Sequence, residues 1–235
     1  YQVTADVQPD VLASFEGEVD GNGIAGTSRM NYLGGEIGIF EVHADIGDVG
    51  APGEATYDED IGQYEILASG QNIFGYVDEF HYVFTEVNGD FTIKGRMDIE
   101  QFEGDATWIK GGLMVRNELT DDSAHFMNAL RTDFQQYTTW RTQNGGDSAS
   151  TSSNMNPDQN GELELVKNGN TLEAYYISAS TGERILSNST TDIQLEFPIY
   201  VGLALHSHID GNYAIAYFND VELTVSTEVG NWPIY

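Results

Sequence analysis

The chain has 235 residues, 40% of them hydrophobic and 11% aromatic, which is enough apolar material for a core and too much for a disordered acidic chain. Its 38 acidic residues against 9 basic ones give a formal net charge of −29, a surface that repels nucleic-acid phosphates and anionic membranes. Cysteine is absent, which excludes thiol catalysis, disulfides and thiolate metal sites, and no apolar run approaches the roughly 18 residues of a membrane span, so membrane insertion is not expected.

Residues 1–40 are glycine-rich, with short apolar stretches at Val3–Val7 and Val11–Phe15. Phe80, Tyr82 and Phe84 line one face of a strand, and Asn88-Gly89-Asp90 supplies a turn into the next. There Phe91, Ile93, Gly95, Met97 and Ile99 alternate with Thr92, Lys94, Arg96, Asp98 and Glu100, the period of a half-buried strand. Asp121–Leu130 is the one stretch that competes as a helix, and it is short. Thr142–Asn160 is a long polar loop of Gln, Asn, Gly, Ser and Asp. Strands resume at Leu163 and Leu165, at Leu172, Ala174 and Tyr176, at Val201–Leu205, at Tyr213–Phe218 and at Val221, Leu223 and Val225. Asn168-Gly169-Asn170, Thr181-Gly182 and Asp210-Gly211-Asn212 punctuate them. Many short strands with glycine-rich turns predict an all-β sandwich of two antiparallel sheets.

A set of segments then stands out in order: Asp45-Ile46-Gly47-Asp48-Val49-Gly50-Ala51-Pro52-Gly53, Asp78-Glu79-Phe80-His81-Tyr82-Val83, Asn88-Gly89-Asp90-Phe91-Thr92-Ile93, Lys110-Gly111-Gly112-Leu113-Met114-Val115-Arg116, Lys167-Asn168-Gly169-Asn170-Thr171, Val201-Gly202-Leu203-Ala204-Leu205, Ser207-His208 and Ala216-Tyr217-Phe218-Asn219-Asp220-Val221. Over residues 41–226 this pattern resembles the concanavalin A-like lectin/glucanase modules of large secreted microbial proteins. The resemblance implies a jelly-roll β-sandwich, preceded here by an N-terminal extension (1–40) and followed by a short C-terminal tail (227–235). It leaves the function open, since such folds serve glycan-binding, hydrolytic and adhesive proteins alike. Where these modules commonly carry Gly followed by Trp, this chain has Gly182-Glu183-Arg184.

Laminarinase-type sandwich glycosidases set a nucleophile, a helper Asp and an acid/base on one strand face, with the two catalytic carboxylates about 5–5.5 Å apart for retaining hydrolysis. The nearest match, Arg96-Met97-Asp98-Ile99-Glu100, has arginine in the nucleophile slot, and an adjacent guanidinium is expected to depress the remaining carboxyls. His43, His81, His125, His206 and His208 form no zinc-protease spacing, although His206 and His208 share a strand face, and no Gly-x-Ser-x-Gly elbow is present. No catalytic residue is therefore assigned, and no cofactor is required.

A structural Ca²⁺ held by Asp45 or Asp48 with Asp220 is an option, against the alternative that Asp45 and Asp48 make Asx turns. Glu18-x-Asp20-x-Asn22-Gly23 and Asn156-x-Asp158-x-Asn160-Gly161 open like EF-hand loops, but their twelfth positions are Arg29 and Lys167, so neither closes with a bidentate carboxylate. Tyr76, Trp108, Tyr137 and Trp140 are candidates for a glycan platform, and Asn188-Ser189-Thr190 is a glycosylation sequon at Asn188. Val3, Val7, Val11 and Phe15 at one end, with Trp232, Ile234 and Tyr235 at the other, suit pairing with a neighbouring subunit's sheet edge. The leading expectation is a non-catalytic, self-assembling extracellular subunit whose partners are copies of itself. The alternative is a lectin-like module binding polysaccharide, with a glycoside hydrolase third. A start at Tyr1 reads as a processed, secreted or cell-surface protein, and the acidity suits a salt-adapted or marine microbe.

Overall fold

The computed structural model describes residues 5–6, 12–14, 31–32, 37–102, 108–132, 135–152 and 161–226. Two compact units divide the chain, Tyr1–Glu36 and Ile37–Tyr235. In the first, β1 (Ala5–Asp6), β2 (Leu12–Ser14) and β3 (Asn31–Tyr32) pair antiparallel with one another, Ala5 against Ala13 and Ala13 against Tyr32. Val3, Val7, Val11, Phe15, Trp232, Ile234 and Tyr235, the residues expected to drive assembly, lie outside the described residues. So do positions 18–29 and 156–160 of the EF-hand-like stretches.

The second unit is built from β4 (Val42–Ile46), β5 (Glu54–Asp58), β6 (Gln63–Gly70), β7 (Ile73–Phe74), β8 (Val77–Asp78), β9 (Phe80–Val87), β10 (Asp90–Phe102), β11 (Lys110–Arg116), β12 (His125–Arg131), β13 (Gln136–Arg141), β14 (Ser148–Ser152), β15 (Glu162–Asn168), β16 (Thr171–Ile177), β17 (Arg184–Thr190), β18 (Ile199–His206) and β19 (Ile209–Ser226). Seven strands form a first sheet in the order β17-β16-β15-β10-β19-β6-β5, and seven a second in the order β14-β13-β12-β11-β18-β9-β4. Every pairing within them is antiparallel.

Alternation decides which side chains fill the space between the sheets. On β10, Phe91, Ile93 and Met97 are buried there, while Lys94 and Arg96 face away from the core. Leu163, Leu165, Leu172, Ala174, Tyr176, Ala214, Ala216 and Phe218 join them from the first sheet. From the second come Val83, Leu113, Val115, Phe126, Val201, Leu203 and Leu205. Each large apolar side chain so buried contributes about 1.5–3 kcal/mol, and these contacts clamp the sheets together. A polar network crosses this interior: Asn128 Nδ2 donates to the backbone carbonyls of Glu164 (2.9 Å) and Tyr175 (2.8 Å), its Oδ1 accepts from Gln136 Nε2 at 2.8 Å, and Ser187 Oγ donates to Gln136 Oε1 at 2.6 Å.

The two sheets differ in what covers their outer faces. The first presents polar and charged side chains outward, with Lys94 paired to Glu222 and Arg96 to Asp220. The central strands of the second are buried on both faces, and every residue of β11 and β12 is buried. That double burial explains why Asp121–Leu130 has no strand period. Its larger part is β12, held by β11 on one side and β13 on the other, and the helix alternative fails because pairing on both edges outweighs local propensity. The polar stretch after Thr142 is likewise more ordered than expected, since Ser148–Ser152 pairs along β13 as an edge strand.

Candidate functional site

The outer face of the second sheet collects Phe80, Tyr82 and Phe84 from β9, Met114 from β11, Met127 and Ala129 from β12 and Ala204 from β18 into a second apolar cluster. The β7–β8 hairpin is bonded onto this face. Its two-residue turn places Gly75 at φ +74°, the left-handed region that glycine enters without a Cβ penalty. Four of the chain's nine lysines and arginines (Lys110, Arg116, Arg131 and Arg141) project from this sheet and are buried, together with His125 and His206.

At one end of the face, Arg116, His125 and Arg141 are cross-strand neighbours around Asp78. Arg141 is bidentate to Asp78, at 2.8 Å to each oxygen, Arg116 Nη1 lies 3.6 Å away, and His125 Nδ1 lies at 3.4 Å. Arg141 Nη2 also donates to the Gly75 carbonyl at 3.0 Å, and Ser148 Oγ to the same carbonyl at 2.9 Å, which pins the hairpin turn. Burial pushes the Asp78 carboxyl up, but His125, Arg141 and Arg116 pull it further down, to about 2. Because burial also drives His125 below its ordinary value, the pull near neutral pH comes from the two arginines. This end is a closed ion network whose chemistry is structural.

The other end is a row of His206, Lys110 and Arg131, directly opposite one another on three adjacent strands. Such partners stand about 4.5–5.5 Å apart on one face. Lys110 Nζ donates to Asn72 Oδ1 at 2.7 Å and sits 4.9 Å from the centre of the Tyr137 ring. The Arg131 guanidinium lies 4.0 Å over the ring of Trp108, which is 43% exposed. Burial, then Arg131, lowers the Lys110 ammonium to about 8 against the opposing pull of Asp78. His206 Nδ1 accepts the backbone N–H of His208 at 3.1 Å, so the proton of the neutral ring is on Nε2. That Nε2 is buried and has no hydrogen-bond partner among the described residues. Burial, with Lys110 and His208 nearby, pushes His206 well below its ordinary value, which keeps the ring neutral.

Of the aromatic candidates, the structure brings Trp108 and Tyr137 to this end of the face. Tyr76, 65% exposed, stands at the hairpin turn. Trp140, three positions from Tyr137, points to the opposite side and packs on the core between the sheets, so it does not belong to a platform with the others. Among the calcium candidates, Asp45 accepts the Gly53 N–H on both oxygens at 3.1 Å and meets His81 Nδ1 at 2.6 Å. His81 Nε2 in turn lies 2.9 Å from His43 Nδ1. A Cβ on Gly53 would stand 2.3 Å from His81 Nδ1, so this contact needs glycine. Asp220 pairs with Arg96 on the outer face of the first sheet, and Asp48 lies exposed in the turn after β4. Among the described residues, no group of three or more His, Cys, Asp or Glu suited to a metal ion occurs.

Arg96 is committed to Asp220, and Asp98 is raised above its ordinary value by burial and Glu100, which overcome Arg96 and reverse the expected depression. At the Gly-Trp position of the resembling modules, Arg184 lays its guanidinium over the Tyr175 ring and pairs with Glu164. Asn188 lies on the edge strand β17, and its Nδ2, the atom a glycan would be joined to, is buried without a hydrogen-bond partner. The sequence did not single out Lys110, Arg131 or His206 as a group. Its one signal was the crowding of Lys110, Arg116, Arg131 and Arg141 into a short stretch of a chain otherwise poor in basic residues.

No protein-family model matches the chain, and no curated protein does. Among solved structures, a functionally unknown protein from Saccharomyces cerevisiae aligns at TM-score 0.58 and 15% identity, over 76% of this chain and 95% of its own. A mutant of the GH43 protein BlXynB from Bacillus licheniformis aligns at TM-score 0.52 and 12% identity, over 92% of this chain but 46% of its own, so this chain spans less than half of it. The carbohydrate-binding module CBM66 from Bacillus subtilis aligns at TM-score 0.49 and 15% identity, over 80% of this chain and 98% of its own. The fold is a jelly-roll β-sandwich of two antiparallel sheets, as the segments over residues 41–226 imply.

Proposed function

We propose that this protein binds an extracellular polysaccharide without cleaving it, through the Trp108 end of the second sheet's outer face. One observation carries the reading. The Trp108 indole is 43% exposed while the Arg131 guanidinium is stacked 4.0 Å from its ring centre, which makes it a braced aromatic surface rather than a loose one. Tyr137 lies beside it through Lys110, and the described residues offer polar groups for sugar hydroxyls within the same row. Neither a metal nor a cofactor enters this reading. A self-assembling subunit, expected from the terminal segments, draws no support from these observations, because its residues lie outside the described ones.

The test is binding of the full chain to a panel of soluble polysaccharides by affinity electrophoresis and calorimetry. Trp108→Ala is expected to weaken binding roughly thirtyfold, the loss typical of a central tryptophan in an interface. Trp140→Phe, a change in the core, is expected to leave affinity unchanged. Equal binding by wild type and Trp108→Ala overturns the site. Release of reducing sugar that depends on Glu100 overturns the non-catalytic reading.

A further inference from the structure

Burying an ammonium without a counter-charge is costly, and folds normally place a carboxylate beside it. This protein has 38 acidic side chains, yet Lys110 is 2% exposed and its hydrogen bond goes to the neutral Asn72 amide oxygen. Among the described residues no carboxylate lies within ion-pair distance of Lys110, because Asp78, the acid that acts on it, is held by Arg141 and Arg116. Directly across the sheet stands His206, wholly buried, with its Nε2 lacking an acceptor among the described residues. Lys110 keeps two N–H protons beyond the one given to Asn72, and His206 Nε2–H adds a third donor on the same face. Arg131 stands at the third place in the row and adds positive charge. Three donors and, among the described residues, no acceptor for them describe a site that an anion completes.

We infer that Lys110 and His206 receive the anionic substituent of the bound polysaccharide, a sugar carboxylate or sulfate ester, with the sugar ring turned toward Trp108 and Tyr137. This rests on the polysaccharide-binding reading and names its ligand class. It also sets an unusual salt dependence. A charge of −29 repels a polyanion at long range, and added salt screens that repulsion. A buried contact is screened much less. Affinity for an acidic polysaccharide therefore rises from low to physiological ionic strength, opposite in sign to an exposed basic surface.

The experiment measures binding of the full chain to polygalacturonate, its fully methyl-esterified form, dextran sulfate and dextran. At least one acidic polymer is expected to bind roughly tenfold or more tightly than the uncharged ones, the worth of a charge-assisted contact. Whichever acidic polymer holds that advantage identifies carboxylate or sulfate. Lys110→Met removes the advantage while thermal unfolding stays unchanged or rises, whereas a lysine needed by the fold would lower it. Asn72→Asp, which sets a carboxylate against Lys110, also removes the advantage by filling the site from within, and it serves where Lys110→Met fails to fold. Equal binding of acidic and uncharged polymers, or an advantage that survives both substitutions, overturns the inference and leaves the polysaccharide reading standing. If the wild-type chain binds none of the four polymers or other glycans, both fall together.

Discussion

At one end of the second sheet's outer face, Asp78 answers Arg116 and Arg141; at the other, Lys110 is met by the neutral Asn72. Both ends bury cations and a histidine on β11, β12 and one flanking strand, β13 at the first end and β18 at the second, and both are tied to the β7–β8 hairpin or the residues leading into it. What separates Lys110 from the cations of the first end, among the described residues, is one carboxylate. Where the counter-charge comes from within the chain, the cations serve the fold, locking the hairpin and the sheet together. Where it does not, the same kind of side chain is held ready for something from outside. Burial of basic residues alone is therefore a poor guide to function, and the presence or absence of an internal acceptor is the informative feature.

That contrast can be broken most sharply at Asp78. Asp78→Asn leaves two buried guanidiniums without a counter-charge and is expected to cost about 3–5 kcal/mol in chemical denaturation. The pH dependence follows from the same group. Its folded value of about 2 lies below the ordinary 3.8, so its contribution is fully present above the ordinary value and is lost as pH falls through about 2. The stability gap between wild type and Asp78→Asn is expected to be flat above about pH 4 and to narrow below it; a gap that widens in acid contradicts the assignment.

Asn128→Ala comes next. It strips the bridge between the sheets and leaves the Glu164 and Tyr175 carbonyls without that donor, for a loss of about 1–3 kcal/mol per unsatisfied group. Lys110→Met, at the open end, is expected to cost nothing and to raise the urea midpoint slightly, since replacing an uncompensated buried charge by an apolar chain is neutral or favourable. A large loss there would place Lys110 with the closed end. Arg96→Ala on the outer face of the first sheet is expected to change stability by less than about 1 kcal/mol, because its pair with Asp220 is half exposed on both sides.

Much of the fold was legible from alternation alone. Phe91, Ile93 and Met97 read as one face and are one face, because a sheet with a single buried side writes its period into the sequence. The second sheet was harder for the same reason reversed. Its β11 and β12 are buried on both sides, so Lys110–Arg116 and His125–Arg131 carry no period, and part of the latter competes as a helix. Phe80, Tyr82 and Phe84 were rightly put on one face, but that face turns away from the partner sheet and into the second cluster. Trp108 and Tyr137 were picked out as aromatics. Trp140 looked equivalent to them and is core, since its register puts it on the other side of β13.

The sequence by itself determined the class of this protein. Its strand periods, glycine turns and acidic composition require a β-sandwich with a polar coat, and its arginine in the nucleophile slot speaks against the familiar carboxylate arrangement. The −29 charge sets the long-range electrostatics. Only the tertiary structure decided which cations acquire a counter-charge. Lys110 on β11 meets His206 on β18, some ninety residues further along the chain, and Asp78 reaches Arg141 because a hairpin is laid across the sheet. Register and burial set that pairing: a charge in water has little preference for its neighbours, whereas one enclosed by a fold depends on whichever acceptor the neighbouring strands and loops bring within reach.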